Sequence, residues 1–257
     1  MSLVIYEVKD RIGYITLNRP EKRNALSFEL VSELKTSFTK AENDPSVKVI
    51  VLKANGDSFC AGADLAYLQK LQQFSYEQNL EDSNHLKELF LQIYTLKKVV
   101  IAEVQGHALA GGCGLATVCD FAFAIPEAKL GYTEVKIGFI PAIVMIFLLR
   151  KIGEQKSKHL LLSGELITSE TAVQWSLINQ VVTKDQLGQF VYDFAQKLIK
   201  NNSAQSMELT KQMIASVQSL SLEDALQHAS HMNATARGTE DCKKGIAAFL
   251  NKQDLQW

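Results

Sequence analysis

Two apolar runs constrain this chain more than any other feature. Val47 to Leu52 and Val99 to Val104 are almost unbroken aliphatic stretches. Runs this short and this apolar read as strands covered on both faces, as in a parallel sheet. Helical patterns accompany them. Ser27 is placed to cap a helix carrying Leu30, Val31, Leu34, Phe38 and Ala41 on one face, and Asp44-Pro45 ends it. A second helical stretch covers Asn79 to Leu96. Val4 to Val8 and Ile12 to Leu17, with Asp10-Arg11-Ile12-Gly13 between, predict a hairpin ahead of this region. Asp120 to Ala124 supplies a further strand. The alternation of apolar strands with helices predicts an α/β fold with parallel pairing.

The pattern changes toward the C-terminus. From Glu154 onward it is mainly helical, with one short strand near Gln180 to Val182. Asp185–Lys200, Ala204–Val217, Leu222–Ala236 and Glu240–Leu250 read as separate amphipathic helices. The 257 residues therefore divide into an α/β core over residues 1–199 and a helical section over 200–257.

Each buried strand leads into a segment of small residues. Ala61-Gly62-Ala63-Asp64-Leu65 follows the first, and Ala110-Gly111-Gly112-Cys113-Gly114 follows the second. Gly106 to Gly114 reads as a loop leading into a helix over Leu115–Cys119. Small residues let a ligand approach the backbone, and a helix start leaves N–H groups free. Two such groups aimed at one oxygen would form an oxyanion hole. Glycine turns that only pack tightly are the alternative. Neither segment is a P-loop, because no Lys-Ser/Thr follows.

Other classes are excluded on composition. A formal net charge of −1 gives no basic face for nucleic acid. The four cysteines show no CxxC spacing and the five histidines no ligand spacing, so no metal site is expected. Cys113 and Cys119, in an apolar stretch, read as core residues. A reduced, cytoplasmic setting is the expectation. The longest apolar run, Phe139 to Leu149, contains Pro141 and falls far short of the ~20 residues a spanning helix needs. No membrane association is expected.

Five motifs in order carry a resemblance over nearly the whole chain. They are Asn18-Arg19-Pro20 with Asn24-Ala25-Leu26, then Phe59 to Leu65, then Gly106-His107-Ala108 through Gly111-Gly112 to Cys119-Asp120, then Leu130 to Gly138, then Leu162-Ser163-Gly164-Glu165. Together they resemble the crotonase (enoyl-CoA hydratase/isomerase) superfamily. The resemblance implies a ClpP-like spiral of ββα turns and a helical C-terminal section that assembles homotrimers or hexamers. It implies an acyl-CoA thioester as substrate and no separate cofactor, since coenzyme A is part of the substrate. Its oxyanion donors fall on the backbone N–H groups of Ala63 and Gly111, and its catalytic carboxylate on Glu134. Substrate and CoA contacts fall on Arg23, Ala25, Ala61, Gly62, Asp64 and Leu65. Phe249 and Lys252 fall where a neighbouring subunit contributes, though Lys252 could equally be a solvated lysine.

Two departures from the family pattern matter. Hydratases of the family usually carry two glutamates, and the first falls here on Gly114. The block Ile140-Pro141-Ala142-Ile143-Val144-Met145-Ile146-Phe147 resembles the branch acting on 3-methylglutaconyl thioesters, or is a buried helix that only fills core. Hydration of a short or branched enoyl-CoA, with Glu134 moving the protons, is the leading expectation. Δ3-Δ2-enoyl-CoA isomerisation, which one carboxylate can perform, and thioester decarboxylation are the alternatives. Val144, Met145 and Phe147 are expected to line the acyl pocket. Arg150 or Lys136 would pair with a terminal carboxylate, and Tyr132 could assist Glu134.

Overall fold

The computed structural model describes residues 2–257. Among the described residues, ten strands and ten α-helices follow the alternation anticipated from the apolar runs. The hairpin β1 (Val4–Lys9) and β2 (Ile12–Leu17) leads into α1 (Phe28–Asn43). Three turns of the same kind come next. The first is β3 (Val49–Ala54), β4 (Ser58–Cys60), α2 (Leu65–Leu71) and α3 (Tyr76–Thr95). The second is β5 (Val99–Val104), β6 (His107–Leu109) and α4 (Gly111–Val118). The third is β7 (Phe121–Ala124), β8 (Lys129–Gly131) and α5 (Ala142–Ser163). Then come β9 (Leu166–Thr168), α6 (Ser169–Gln174), β10 (Gln180–Val181), α7 (Leu187–Asn201), α8 (Ala204–Val217), α9 (Leu222–Gly238) and α10 (Glu240–Leu250).

Each of these three turns gives one strand to each of two sheets, while both strands of the hairpin stay in the first. The first sheet runs β1-β2-β3-β5-β7-β10 and the second β4-β6-β8-β9. Beyond the antiparallel hairpin the first sheet is parallel throughout. This is a ββα spiral, and it explains the two apolar runs. Val49 to Leu52 and Val99 to Ala102 are central strands, buried on both faces.

The helix ends follow their local chemistry. The Ser27 hydroxyl accepts from Leu30 N, and Leu30, Val31, Leu34, Phe38 and Ala41 are buried as the pattern predicts. Ser75 and Gln78 close a capping box that starts α3 at Tyr76, three residues before the start read from the sequence.

The second small-residue segment differs from expectation. The helix begins at Gly111, not Leu115, so three glycines lie within it. They are needed for packing. A Cβ on Gly112 would lie 2.2 Å from the Cys60 carbonyl oxygen. The short strands β4, β6, β8 and β9 were not predicted, because three residues carry no periodicity. Helix α5 bends at Gly153, whose φ of 76° is non-helical. No described helix is long and apolar enough to cross a membrane.

Candidate active site

Asn24 organises the first wall of the site. It is fully buried in the left-handed conformation, φ 54°. Its Oδ1 accepts from Arg19 N at 2.9 Å, and its Nδ2 donates to the carbonyls of Asn55 and Ser58, each at 2.9 Å. The polar loop after the hairpin is thereby fixed to the start of β4. That fixes Leu26, whose N–H donates to Gly62 O at 2.7 Å and whose carbonyl accepts from Asp64 N at 2.9 Å. In this parallel bridge Leu26 takes the groups on either side of Ala63, so the N–H of Ala63 faces the other way.

Gly111 comes from the second wall. It is the first residue of α4, where a backbone N–H has no partner within the helix. The two walls touch: a Cβ on Gly62 would lie 3.4 Å from Gly111 N and 2.7 Å from the Ala110 Cβ. Ala110 holds φ 51°, ψ −126°, a strained conformation for a residue with a side chain. Nothing in the sequence marked it.

Ala61, Ala63, Leu65, Gly111 and Glu134 line one cavity of about 400 Å³. Glu134 opens a short 3-10 turn, Glu134–Ile137. Its Oε2 is buried and meets no protein donor. Burial raises its carboxyl above the usual range, and a hydrogen bond from its own backbone N–H offsets only part of that. A carboxyl so placed keeps its proton to a higher pH than a solvated one, which suits a group that must both take and return a proton.

The other predicted contacts sit behind the cavity wall. Asp64 is buried and caps α2, accepting from Ala66 N and Tyr67 N. Arg19 pairs with it at 2.7 Å. Burial acts to raise the Asp64 carboxyl, but Arg19 and the two N–H groups outweigh it and hold it low. Arg23 is exposed, and its carbonyl accepts from Ala61 N. The Ala25 carbonyl accepts from Arg19. Phe249 and Lys252 are exposed and do not line the cavity within one chain.

Several expectations are corrected. Of Val144, Met145 and Phe147, only Val144 lines the cavity; Phe147 stacks on Phe90 and turns toward a separate cavity. Arg150 lies over the Tyr94 ring beside that second cavity, and Lys136 is exposed near Gly164. Tyr132 is fully buried, bonded to the Thr117 hydroxyl at 2.8 Å, and does not line the site. Cys60, Cys113 and Cys119 are core thiols that burial pushes up to about 12.

Tyr67, Asp82 and His85 line the cavity and were missed. The Tyr67 hydroxyl donates to Asp82 Oδ1. A signal existed. Asp82 continues the stripe Leu86, Leu89, Phe90, Ile93 on α3, which puts a charge on the covered face of a helix.

Comparison with known proteins gives the family. A family profile described as enoyl-CoA hydratase/isomerase matches residues 7–257. A provisionally named enoyl-CoA hydratase of Thermus thermophilus is 39% identical over 245 residues, covering 95% of this chain and 96% of its own length. The crotonyl-CoA hydratase of Syntrophomonas wolfei is 32% identical, with 97% and 95% covered. The crystal structure of an enoyl-CoA hydratase from Shewanella pealeana superposes with a TM-score of 0.93 at 29% identity, covering 99% of this chain and 96% of that one. This chain therefore belongs to the enoyl-CoA hydratase/isomerase family and is an enzyme of it.

Proposed function

We propose that the enzyme adds water across the α,β double bond of a short or branched enoyl-CoA. The observation that carries this reading is the meeting of Glu134 with Ala63 and Gly111 in one cavity. The thioester oxygen would accept from the two backbone N–H groups, which stabilise the charge as the enolate forms. Glu134 would take a proton from water as the new C–O bond forms at Cβ. The π electrons move toward the thioester oxygen, and the same carboxyl returns a proton to Cα. No resident cofactor enters the reaction, and coenzyme A arrives with the substrate.

Ala61 and Leu65 would contact the acyl-CoA directly, with Arg23, Ala25, Gly62 and Asp64 shaping the wall behind them. A methylglutaconyl group would need a cation for its carboxylate. No lysine or arginine lines the cavity, which favours an uncharged acyl group.

The second reading is Δ3-Δ2 isomerisation. It is favoured by Gly114, where no second carboxylate stands. The same absorbance band separates the two. Hydration of a trans-2-enoyl-CoA removes the conjugated enoyl band, whereas isomerisation of a 3-enoyl-CoA creates it. Loss of the band supports hydration, and no change on a panel of C4 to C6 thioesters would overturn it.

A homotrimer or hexamer, built through residues 200–257, and a cytoplasmic site of action belong to the same reading. Phe249 and Lys252 would then reach a neighbouring subunit's CoA. What supports assembly is α9, none of whose residues is buried.

A further inference from the structure

The cavity that holds Glu134 contains one other carboxylate and no lysine or arginine. Asp82 stands on α3, and its Oδ1 accepts the Tyr67 hydroxyl, which reaches across from α2. Both residues line the cavity. Tyr67 is itself anchored, because its backbone N–H donates to Asp64, the residue that Arg19 pins. Asp82 is therefore held in the wall rather than free to swing into solvent.

His85 does not supply the missing positive charge. Its ring stacks on Phe28 with centroids 4.1 Å apart. Its Nδ1 lies 3.3 Å from the Lys35 ammonium, which can only donate. Its Nε2 lies 3.0 Å from the Ser32 hydroxyl and 3.3 Å from the Phe28 carbonyl, which can only accept. Both ring nitrogens are thus already engaged by protein partners. Lys35 lies behind the ring and does not line the cavity.

Resting on the enoyl-CoA reading above, we infer that Asp82, held by Tyr67, sets substrate class by charge: it admits uncharged acyl groups and rejects those with a terminal carboxylate. Such a carboxylate would enter a cavity of about 400 Å³ whose fixed charges are both negative, with no cation to pair with it. Like charges brought together away from bulk water repel strongly, and specificity by repulsion needs no added attraction.

The test is a matched pair, trans-2-hexenoyl-CoA and its ω-carboxylate analogue, hydrated by the wild-type enzyme and by Asp82→Asn. The quantity read is the ratio of their kcat/KM values. Wild type should favour the uncharged substrate by about tenfold or more, and Asp82→Asn should shrink that ratio toward unity, mainly through KM. Tyr67→Phe, which keeps the charge but releases Asp82 from the wall, should shrink the ratio less than Asp82→Asn does. A wild-type ratio near unity, or a preference for the carboxylated substrate, would overturn the inference. If neither thioester turns over, the hydratase reading fails by itself. Calorimetric binding of the same pair then decides the charge argument, with equal affinities counting against it.

Discussion

A Cβ placed on Gly114 would lie 2.3 Å from Val144 Cγ1. Val144 comes from α5, the helix that closes the cavity beside Glu134. The position where family hydratases keep a further glutamate is thus occupied by an aliphatic side chain. The Phe90 ring stands 3.0 Å away on another side.

Gly114→Glu is accordingly expected to lose folded, soluble protein rather than gain hydratase activity. Even Gly114→Ala should cost about 1–3 kcal/mol, the usual range for overpacking a core. Gly114→Ala combined with Val144→Ala should recover part of that loss, because the nearest atom, Val144 Cγ1, is removed. Urea melts of the two variants check this. A stable Gly114→Ala would mean the helices separate more easily than their packing implies.

The loop network makes a second prediction. Asn24→Ala leaves the Arg19 N–H and the Asn55 carbonyl without this partner, takes one of two donors from the Ser58 carbonyl, and puts a poorly suited residue at φ 54°. A loss of about 3 kcal/mol or more is expected from the unsatisfied buried groups. Leu26 and Ala63 would shift with the loop, so kcat/KM should fall by up to about 10²-fold, the scale of a 1 Å misplacement. Asn24→Asp keeps the acceptor for the Arg19 N–H and tolerates the backbone, but it sets a buried carboxylate oxygen against two carbonyl oxygens, so it should be no more stable than Asn24→Ala. Stability and kinetics measured together would reveal whether the loop positions the site or only holds the fold.

These relationships explain what the sequence could and could not reveal. The apolar runs, the cap at Ser27 and the C-terminal helices were legible, because burial and capping act over a few neighbouring residues. Ala61, Ala63, Leu65, Gly111 and Glu134 were placed by resemblance, and they do share a cavity. Asp82 and Tyr67 stand fifteen residues apart on two helices, and only the packing of α2 on α3 brings them together. Val144 was expected to line the acyl pocket, and it lines the cavity, but its contact with Gly114 depends on α5 lying across α4. The strain at Ala110 likewise has no local sequence signal.

Helices α8 to α10 lead to a third expectation. They expose Ile214, Leu222, Leu226, Ile246, Phe249 and Leu250. Apolar surface of this extent is normally covered by a partner. Light scattering should return three or six times 28.6 kDa. The monomer mass would refute it.

Lys48 gives a fourth. It is buried, and its Nζ donates to the carbonyls of Ile199 and Asn202 at the end of α7, each at 2.6 Å. Lys48→Met should cost about 1–3 kcal/mol through the carbonyls left unpaired. Burial pushes the ammonium down to about 8 from an ordinary 10.5. Between those values the unfolded chain binds more protons, so this group adds stability as pH rises through the window. Below about 8 both states are protonated and the contribution is gone. Wild type should therefore gain on Lys48→Met between pH 7.5 and 9.5 in paired melts. A constant difference would show that the proton is not released on folding.

Glu134→Gln separates activity from stability. The amide keeps the shape of the side chain but can no longer take a proton, so kcat should drop by about 10²–10⁴, the usual span for a lost acid–base group. CoA-thioester affinity should change little, because Ala63 and Gly111 contribute backbone N–H groups that the substitution leaves in place. Stability should move the other way. Burial raises the Glu134 carboxyl, and its Oε2 meets no protein donor. A group whose folded value lies above its unfolded one contributes stability at low pH and loses it as pH rises through the folded value. At pH 7 the wild type thus carries a disfavoured buried charge that glutamine lacks, so the variant should melt at a higher temperature. The gain should fade toward pH 4, where the wild-type carboxyl is protonated in the folded state. Thermal melts at the two pH values and single-turnover kinetics on the best enoyl-CoA decide the matter. Undiminished turnover would remove Glu134 from the chemistry, and a lower melting temperature at pH 7 would mean that the carboxylate finds partners on folding.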